Sequence, residues 1–149
     1  MAYIAVQSED FDLSAEFARI QGDDTDIGAL VTFTGTVRDM TGTLESMTLE
    51  HYPGMTEKLL EQIATEAETR WPLLGCTIIH RYGTLSPGDN IVLVITASSH
   101  RQAAFDAAEY LMDFLKSKAP FWKKETTEAG GNWVDAKETD ETALKRWDT

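Results

Sequence analysis

Two long stretches of the sequence repeat their apolar residues with helical spacing, and they limit the folds that are open to the chain. One covers residues 55–71 and stops at Pro72, and the other covers residues 101–118 and is prevented from continuing by Pro120. Short patterned stretches between them have the features of strands. In a chain of 149 residues, this combination predicts a single α+β domain that spans residues 1–149.

Strands are predicted where apolar and polar residues alternate and β-branched side chains are frequent. The clearest example is 29–37, and others are expected at 3–6, 47–52, 77–82, 91–97 and 133–136. A short helix is expected at 13–20, capped by Asp12 or Ser14. The tight turn at 86–89 predicts an antiparallel hairpin, so the sheet is expected to be mostly antiparallel. The polar tail at 137–149 is expected to be a short helix or an arm.

The composition excludes several classes of function. With 13 Lys and Arg against 25 Asp and Glu, the net charge is -12, which argues against a nucleic-acid or membrane partner. The sequence has no apolar run long enough to cross a membrane and no signal-peptide pattern, so a cytoplasmic location is expected. One cysteine and three scattered histidines argue against a disulfide or zinc site, and no cofactor is expected.

Residues 114–124 concentrate positive charge in this acidic chain. They contain four of the 13 cationic side chains and no acid, with Pro120, Phe121 and Trp122 between two lysine pairs. A local positive field predicts an anionic ligand or an anionic chain end. The alternative is a solvated helix end followed by a turn. The four cations are Lys116, Lys118, Lys123 and Lys124.

Lys116 and Lys118 fall on opposite edges of the apolar stripe of their helix, so helix geometry does not choose between them. A lysine pressed against an apolar surface is a better base or amine nucleophile than a solvated lysine. The alternative is a lysine that extends along the helix end, where the helix dipole favours a cation.

The segment Ser99, His100 and Arg101 lies where a strand is followed by a helix. Helix N-termini bind phosphate readily, because their first N–H groups lack partners and the dipole is positive there. Arg101 fits this position best if an anion lies opposite it, and the alternative is a surface arginine with an acidic neighbour. Arg38, at the end of a predicted strand, is another candidate anion ligand.

Two rival functions follow from the same residues. A non-catalytic binding module would hold the acidic tail of a partner in the basic pocket without chemistry. A cysteine-dependent hydrolase would use Cys76, but this thiol lies in an apolar run that is more typical of a buried structural cysteine.

Six segments resemble, in the same order, the large catalytic subunit of molybdopterin synthase, the MoaE family. The resemblance covers most of the chain from Gly28 to Trp147 and is poor over the first two dozen residues. The segments are GALVTFTGTVR at 28–38, LEHYPGMTEK at 49–58, IHRYG at 79–83, PGD at 87–89, SHR at 99–101 and FLKSKAPFWKKE at 114–125.

The resemblance implies an α/β-hammerhead-like fold and a sulfurtransferase reaction. The family converts cyclic pyranopterin monophosphate into molybdopterin by inserting two sulfurs as a dithiolene. The sulfur arrives as a thiocarboxylate on the C-terminal Gly-Gly tail of a small ubiquitin-like subunit. The implied assembly is a heterotetramer, in which a homodimer of large subunits carries a small subunit at each end.

The resemblance also implies roles by position. Lys116 and Lys123 match the catalytic lysines, which also contact the substrate, whereas Lys118 matches no functional position. The other matches are substrate-binding positions, namely Thr36, Val37, Arg38, His100, Arg101, Lys124, Glu125 and Lys137. At Lys137 the family carries an arginine, so lysine keeps the charge and loses the bidentate fork. Two large subunits share each pocket in the family, so His100 and Arg101 are expected to act across the dimer interface.

Overall fold

The structure, a computed structural model, describes residues 2–134 and 138–148, which form two four-stranded sheets and four helices. In chain order the elements are β1 (Ala2–Gln7), α1 (Leu13–Gln21), β2 (Ala29–Thr36), β3 (Leu44–His51), α2 (Met55–Arg70), β4 (Leu73–Arg81), β5 (Gly83–Leu85), β6 (Asn90–Ser98), α3 (Arg101–Ser117), β7 (Phe121–Thr127), β8 (Gly130–Val134) and α4 (Glu138–Lys145). None of the helices in the described ranges is both long and apolar enough to cross a membrane.

The first sheet has the strand order β1-β4-β6-β2 and forms the main core. The helices α2 and α3 cover one face, where Leu60, Ile78 and Leu111 are fully buried. The shorter α1 covers the other face, above Ile79 and Leu93. Each fully buried side chain of this size contributes roughly 1.5–3 kcal/mol to folding. The two central strands are therefore apolar on both faces, whereas β1 and β2 lie at the edges.

The second sheet has the order β5-β3-β7-β8 and is antiparallel throughout. Its buried face is small and consists of Met47, Leu49 and Leu85, which pack with Val37 from the end of β2. This cluster joins the two sheets. In the second sheet, β7 lies between β3 and β8 and carries Lys123 and Lys124.

The α+β class, the mostly antiparallel sheets and both long helices are confirmed. The helices end one residue earlier than predicted, at Arg70 and Ser117. Asp12 rather than Ser14 caps α1, because its carboxylate accepts a hydrogen bond from the Ala15 N–H at 3.2 Å. The predicted hairpin is also confirmed, since β4 and β6 pair antiparallel, with β5 in the connection between them.

Three features differ from the prediction. No strand was predicted at β5 or β7, and β7 forms because it pairs with β3 and β8. The strand β1 pairs with β4 in parallel, whereas the other strand pairs are antiparallel. The predicted strand at 133–136 begins earlier, at Gly130, and residues 135–136 lie outside the described residues. The tail contains the helix α4.

The C-terminal segment is fastened to α3 by polar and aromatic contacts. The Asp113 carboxylate accepts hydrogen bonds from the Arg146 guanidinium at 2.8 Å and 3.1 Å and from the Trp147 indole N–H at 2.5 Å. The Trp147 ring meets the rings of Trp71 and Tyr110 edge-on, with centroid distances of 5.5 Å in both pairs. The chain after α4 is therefore held against the main core.

Candidate active site

Lys116 and Lys123 lie on either side of the turn that joins α3 to β7. Lys116 is in the last turn of α3, where the helix dipole favours a cation. Lys123 is the third residue of β7, half-buried, and pairs with Leu49 of β3 and Val134 of β8. The turn therefore determines how the two ammonium groups lie relative to each other.

A buried histidine packs against this turn. The His80 ring is stacked on the Phe121 ring, with a centroid distance of 3.6 Å and an interplanar angle of 16°. Its Nδ1 lies 2.8 Å from the Arg81 carbonyl oxygen, so Nδ1 carries the hydrogen. Burial lowers the pKa of His80 to about 4, with smaller contributions from the charges of Lys116 and His51, and the hydrogen bond to Arg81 opposes this shift only in part. His80 is therefore neutral at neutral pH and close enough to Lys116 to be influenced by its charge.

Lys123 and Lys124 point to opposite faces of the second sheet, because they are consecutive residues of a strand. Lys123 shares its face with Glu125 and with the buried core of this sheet. Lys124 points the other way, and its ammonium group lies 5.9 Å from the centre of the Trp133 ring. A β-carbon on Gly131 would collide with the Lys124 side chain, so this glycine leaves room for it. The structure thus separates the two neighbouring lysines.

Arg38 follows directly after β2, beside the cluster that joins the sheets. Val37 is 2% exposed, its N–H donates to the Asp89 carbonyl at 2.8 Å, and its carbonyl accepts from the Gly88 N–H at 2.8 Å. The Arg38 side chain is exposed, and so is that of Thr36. Val37 therefore fixes the point at which Arg38 leaves the sheet.

His100 and Arg101 are exposed at the start of α3, where His100 is the N-cap residue without a capping hydrogen bond from its side chain. The start of β2 touches this segment, since the Gly28 N–H donates to the Ser98 carbonyl at 3.0 Å. A β-carbon on Gly28 would collide with the Ser99 carbonyl oxygen. Only glycine therefore allows the two backbones to approach this closely.

The predicted cations form two groups at opposite ends of one protomer. Fifteen residues of α3 separate Arg101 from Lys116, which corresponds to about 22 Å at 1.5 Å per residue. The strand β2 runs antiparallel to β6, with Ala29 opposite Ser98 and Thr36 opposite Asn90. Arg38 therefore lies towards the end of the sheet where α3 finishes, the end that carries Lys116, and away from Arg101.

Neither of two surface cavities on the described part of the chain is lined by a predicted site residue. Their volumes are about 390 Å³ and 730 Å³. Lys118, which matched no functional position, lines the first, and β1 and α2 line the second. No cluster of His, Cys, Asp and Glu suited to a metal occurs among the described residues. Lys137 lies outside the described residues.

The buried thiol of Cys76 lacks the properties of a nucleophile. Cys76 is 2% exposed, and burial raises its pKa to about 12, with a smaller contribution from the negative charge of Glu68. A thiol that stays protonated at neutral pH is a poor attacking group. The structure therefore gives no support to a cysteine-dependent hydrolase.

Sequence reasoning missed two buried polar residues beside the turn between the lysines, Thr56 and His80. The Thr56 hydroxyl donates to the Pro120 carbonyl at 3.1 Å and accepts from the Tyr52 N–H at 3.0 Å. Both residues lie inside segments on which the family resemblance rests, at 49–58 and 79–83. That position was the one available signal, since a threonine at a helix start and a histidine in a strand are otherwise unremarkable.

Comparison with known proteins places these features in a family. The model of the family described as MoaE protein matches residues 6–118. The molybdopterin synthase catalytic subunit of Mesorhizobium japonicum is 56% identical over 146 residues, which cover 97% of this chain and 92% of the relative.

Two solved structures resemble the fold. The MoaE protein from Burkholderia ambifaria matches with a TM-score of 0.86 and 55% identity, over 100% of this chain and 99% of that chain. The molybdopterin synthase from Staphylococcus aureus matches with a TM-score of 0.78 and 37% identity, over 89% of this chain and 96% of that chain. Since the family model and these relatives each span most of its length, the chain belongs to the MoaE family.

Proposed function

We propose that the chain acts in the cytoplasm as the catalytic subunit of molybdopterin synthase, a sulfurtransferase that converts cyclic pyranopterin monophosphate into molybdopterin. The observation that carries this proposal is family membership over most of the chain, combined with two lysines beside one turn. The substrate is a phosphate-bearing anion, and anions are held by cations in partly desolvated sites.

The proposed sulfur donor is a small ubiquitin-like subunit that ends in a Gly-Gly thiocarboxylate. Such a tail is an anion, and most of this chain repels anions because its net charge is -12. The segment from Lys116 to Lys124 is the exception. We therefore expect the tail of the partner to end at the turn between α3 and β7.

The two lysines have different proposed roles. Lys116 holds the terminal carbonyl of the tail and supplies a proton to the oxygen that leaves a carbon of the pterin side chain as the thiocarboxylate sulfur takes its place. Water then breaks the bond between the acyl carbon and the sulfur, which returns the tail as a carboxylate. Lys123 stabilises the charge that develops on the substrate, as a fixed cation does at a reacting centre.

The phosphate is proposed to lie between cations of two protomers. Arg38 provides a planar fork that matches phosphate. His100 and Arg101 lie about 22 Å from Lys116 along α3, so they reach the same phosphate only from a second copy of the chain. This arrangement agrees with a homodimer at the centre of a heterotetramer. The other proposed contacts are Thr36, Lys124 and Glu125 at the pocket wall, Val37 through its hold on Arg38, and Lys137 as a point charge.

A non-catalytic binding module is the main alternative function. It would bind the same anionic tail but form no product. Combining the purified chain with thiocarboxylated partner and precursor separates the two, because only the enzyme forms the dithiolene.

Lys116→Ala tests the catalytic assignment, with Lys118→Ala as a matched control. Both side chains are exposed and lie two residues apart at the end of α3. We expect Lys116→Ala to lower the rate of dithiolene formation by roughly 100-fold or more, as the loss of a charge-stabilising group does. Lys118→Ala should stay within about threefold of the wild-type rate, because a solvated lysine makes no contact in the transition state.

The rate is measured as product formed from precursor and thiocarboxylated partner. A wild-type rate for Lys116→Ala contradicts the assignment. A loss in Lys118→Ala alone would instead assign the role to the other lysine.

A further inference from the structure

The turn between α3 and β7 has few hydrogen bonds of its own to fix its direction. The Lys118 N–H and the Ala119 N–H both donate to the Phe114 carbonyl, at 2.8 Å and 3.2 Å, and close the helix. The Phe121 N–H donates to the Ala119 carbonyl at 2.8 Å. These bonds are local to the turn. Its orientation relative to the rest of the protein must come from other elements.

Thr56 provides one such anchor from the first turn of α2. Its side chain is fully buried, and its hydroxyl bridges the Tyr52 N–H and the Pro120 carbonyl. Pro120 lies midway between the two lysines. A hydroxyl can donate and accept at once, so serine can make both bonds, whereas valine has the same shape and can make neither.

His80 provides a second anchor from β4. Its ring lies flat against Phe121, the first residue of β7, and its Nδ1–H donates a hydrogen bond to the Arg81 carbonyl. The ring is thus held in one orientation and remains neutral under the charge of Lys116. Thr56 and His80 thus contact consecutive residues. Thr56 forms a hydrogen bond to the Pro120 carbonyl, and His80 stacks on the Phe121 ring.

We propose that Thr56 and His80 are positioning residues that fix the turn between α3 and β7 and so hold Lys116 and Lys123 in register for one reaction. Neither residue touches the substrate, and both act through the lysines. The inference rests on the proposed function, because it assumes that both lysines take part in sulfur transfer.

The test uses Thr56→Val, Thr56→Ser and the control Thr96→Val in the assembled enzyme. Thr96 is also fully buried, and its hydroxyl also donates to a backbone carbonyl, that of Ala104 at 2.6 Å. Thr56→Val removes two buried hydrogen bonds and Thr96→Val removes one, in similarly buried surroundings. Only Thr56 is bonded to the turn.

We expect Thr56→Val to lower the single-turnover rate at saturating precursor by roughly 10-fold to 100-fold, because small misplacements of catalytic groups cost this much. The half-saturating precursor concentration should change by less than about twofold, since the phosphate ligands are untouched. Thr56→Ser should restore most of the rate. Thr96→Val should keep the wild-type rate, although it loses thermal stability because one buried hydrogen bond is removed.

The inference is overturned if Thr56→Val keeps the wild-type rate, if serine restores nothing, or if Thr96→Val is equally slow. The second anchor gives an independent arm that does not depend on the folding of Thr56→Val. His80→Phe keeps a flat ring on Phe121, whereas His80→Leu does not. The phenylalanine variant should be at least about fivefold faster, and equal rates would exclude positioning by the stacked ring.

Lys116→Ala is measured in the same assay, so that a failure of the proposed lysine roles can be distinguished from a failure of the positioning inference. If Lys116→Ala is active, the proposed roles of the lysines fail. If Lys116→Ala is inactive while Thr56→Val and His80→Leu both keep the wild-type rate, the lysine roles stand and the positioning inference fails.

Discussion

His80 is an ionisable residue that the fold keeps uncharged. Burial lowers its pKa from 6.5 to about 4. Between pH 6.5 and pH 4, His80 therefore binds a proton in the unfolded chain but not in the folded chain. The contribution of neutral His80 to the free energy of unfolding is therefore fully present above pH 6.5 and is lost as the pH falls towards 4. A shift of this size corresponds to roughly 3 kcal/mol.

We expect His80→Phe to remove this dependence on pH, because phenylalanine fills the same place and binds no proton. The free energy of unfolding is measured by urea titration between pH 4 and pH 7 for both proteins. The carboxylates contribute equally to both, so the difference between the two curves reports His80. Parallel curves would contradict a buried neutral imidazole.

The choice between Lys116 and Lys118 shows how far single residues can be read from the sequence. Helix periodicity places both at the edge of the apolar stripe, and both are exposed in the structure. Only the position within a matched family segment distinguished them. The physical difference lies in neighbours from distant parts of the chain, since His80 lies near Lys116 and a surface cavity lies beside Lys118.

At the scale of elements, the polar contacts that hold the chain after α4 centre on the Asp113 carboxylate. Asp113 is 14% exposed at its side chain and pairs with Arg146, whereas Glu109, on the same helix and near the same arginine, is 58% exposed. We expect Asp113→Ala to lower the free energy of unfolding by about 1–3 kcal/mol, because it leaves the Trp147 N–H without its acceptor and removes the nearer of the two carboxylates that pair with Arg146.

Glu109→Ala is the matched control and should change the stability by less than about 0.5 kcal/mol, since an exposed ion pair contributes little. Both values come from urea unfolding. Equally small losses in the two variants would mean that the segment is held by the aromatic contacts of Trp147 alone. The docking of α4 also supports the proposal that residues 1–149 form one domain.

The two long helices were predictable because their signal is local, and β7 was not because its signal is distant. Apolar residues every three or four positions define a helix without reference to other elements. The segment from Phe121 to Thr127 has two lysines and a glutamate at its centre, which locally favour a solvated turn. It becomes a strand because β3 and β8 lie on both sides of it.

At the scale of the whole molecule, the division of the cations predicts complementation between inactive variants. A heterodimer of Lys116→Ala with Arg101→Ala contains one pocket that lacks both side chains and one that is intact. We expect the purified heterodimer, selected through two affinity tags, to have about half of the wild-type activity, because one of its two sites is complete.

Lys116→Ala combined with Arg38→Ala provides the control. These residues lie at the same end of one protomer, so each pocket of that heterodimer carries one defect and remains inactive. Restored activity in the control, or none in the first pair, would contradict a pocket shared between protomers. The separation of Arg101 from Lys116 within one protomer could be calculated from the sequence, since residues fifteen positions apart in a helix lie about 22 Å apart.

The parallel pairing of β1 with β4 has a consequence for biosynthesis. Ala2 lies opposite Cys76, so each residue of β1 leaves the ribosome 74 residues before its partner. At 5–20 residues per second, the delay is roughly 4–15 s. The strand β1 can therefore pair with the outer edge of β4 only after this delay. Until β4 has been synthesised, β1 can pack against α2 but has no strand with which to pair.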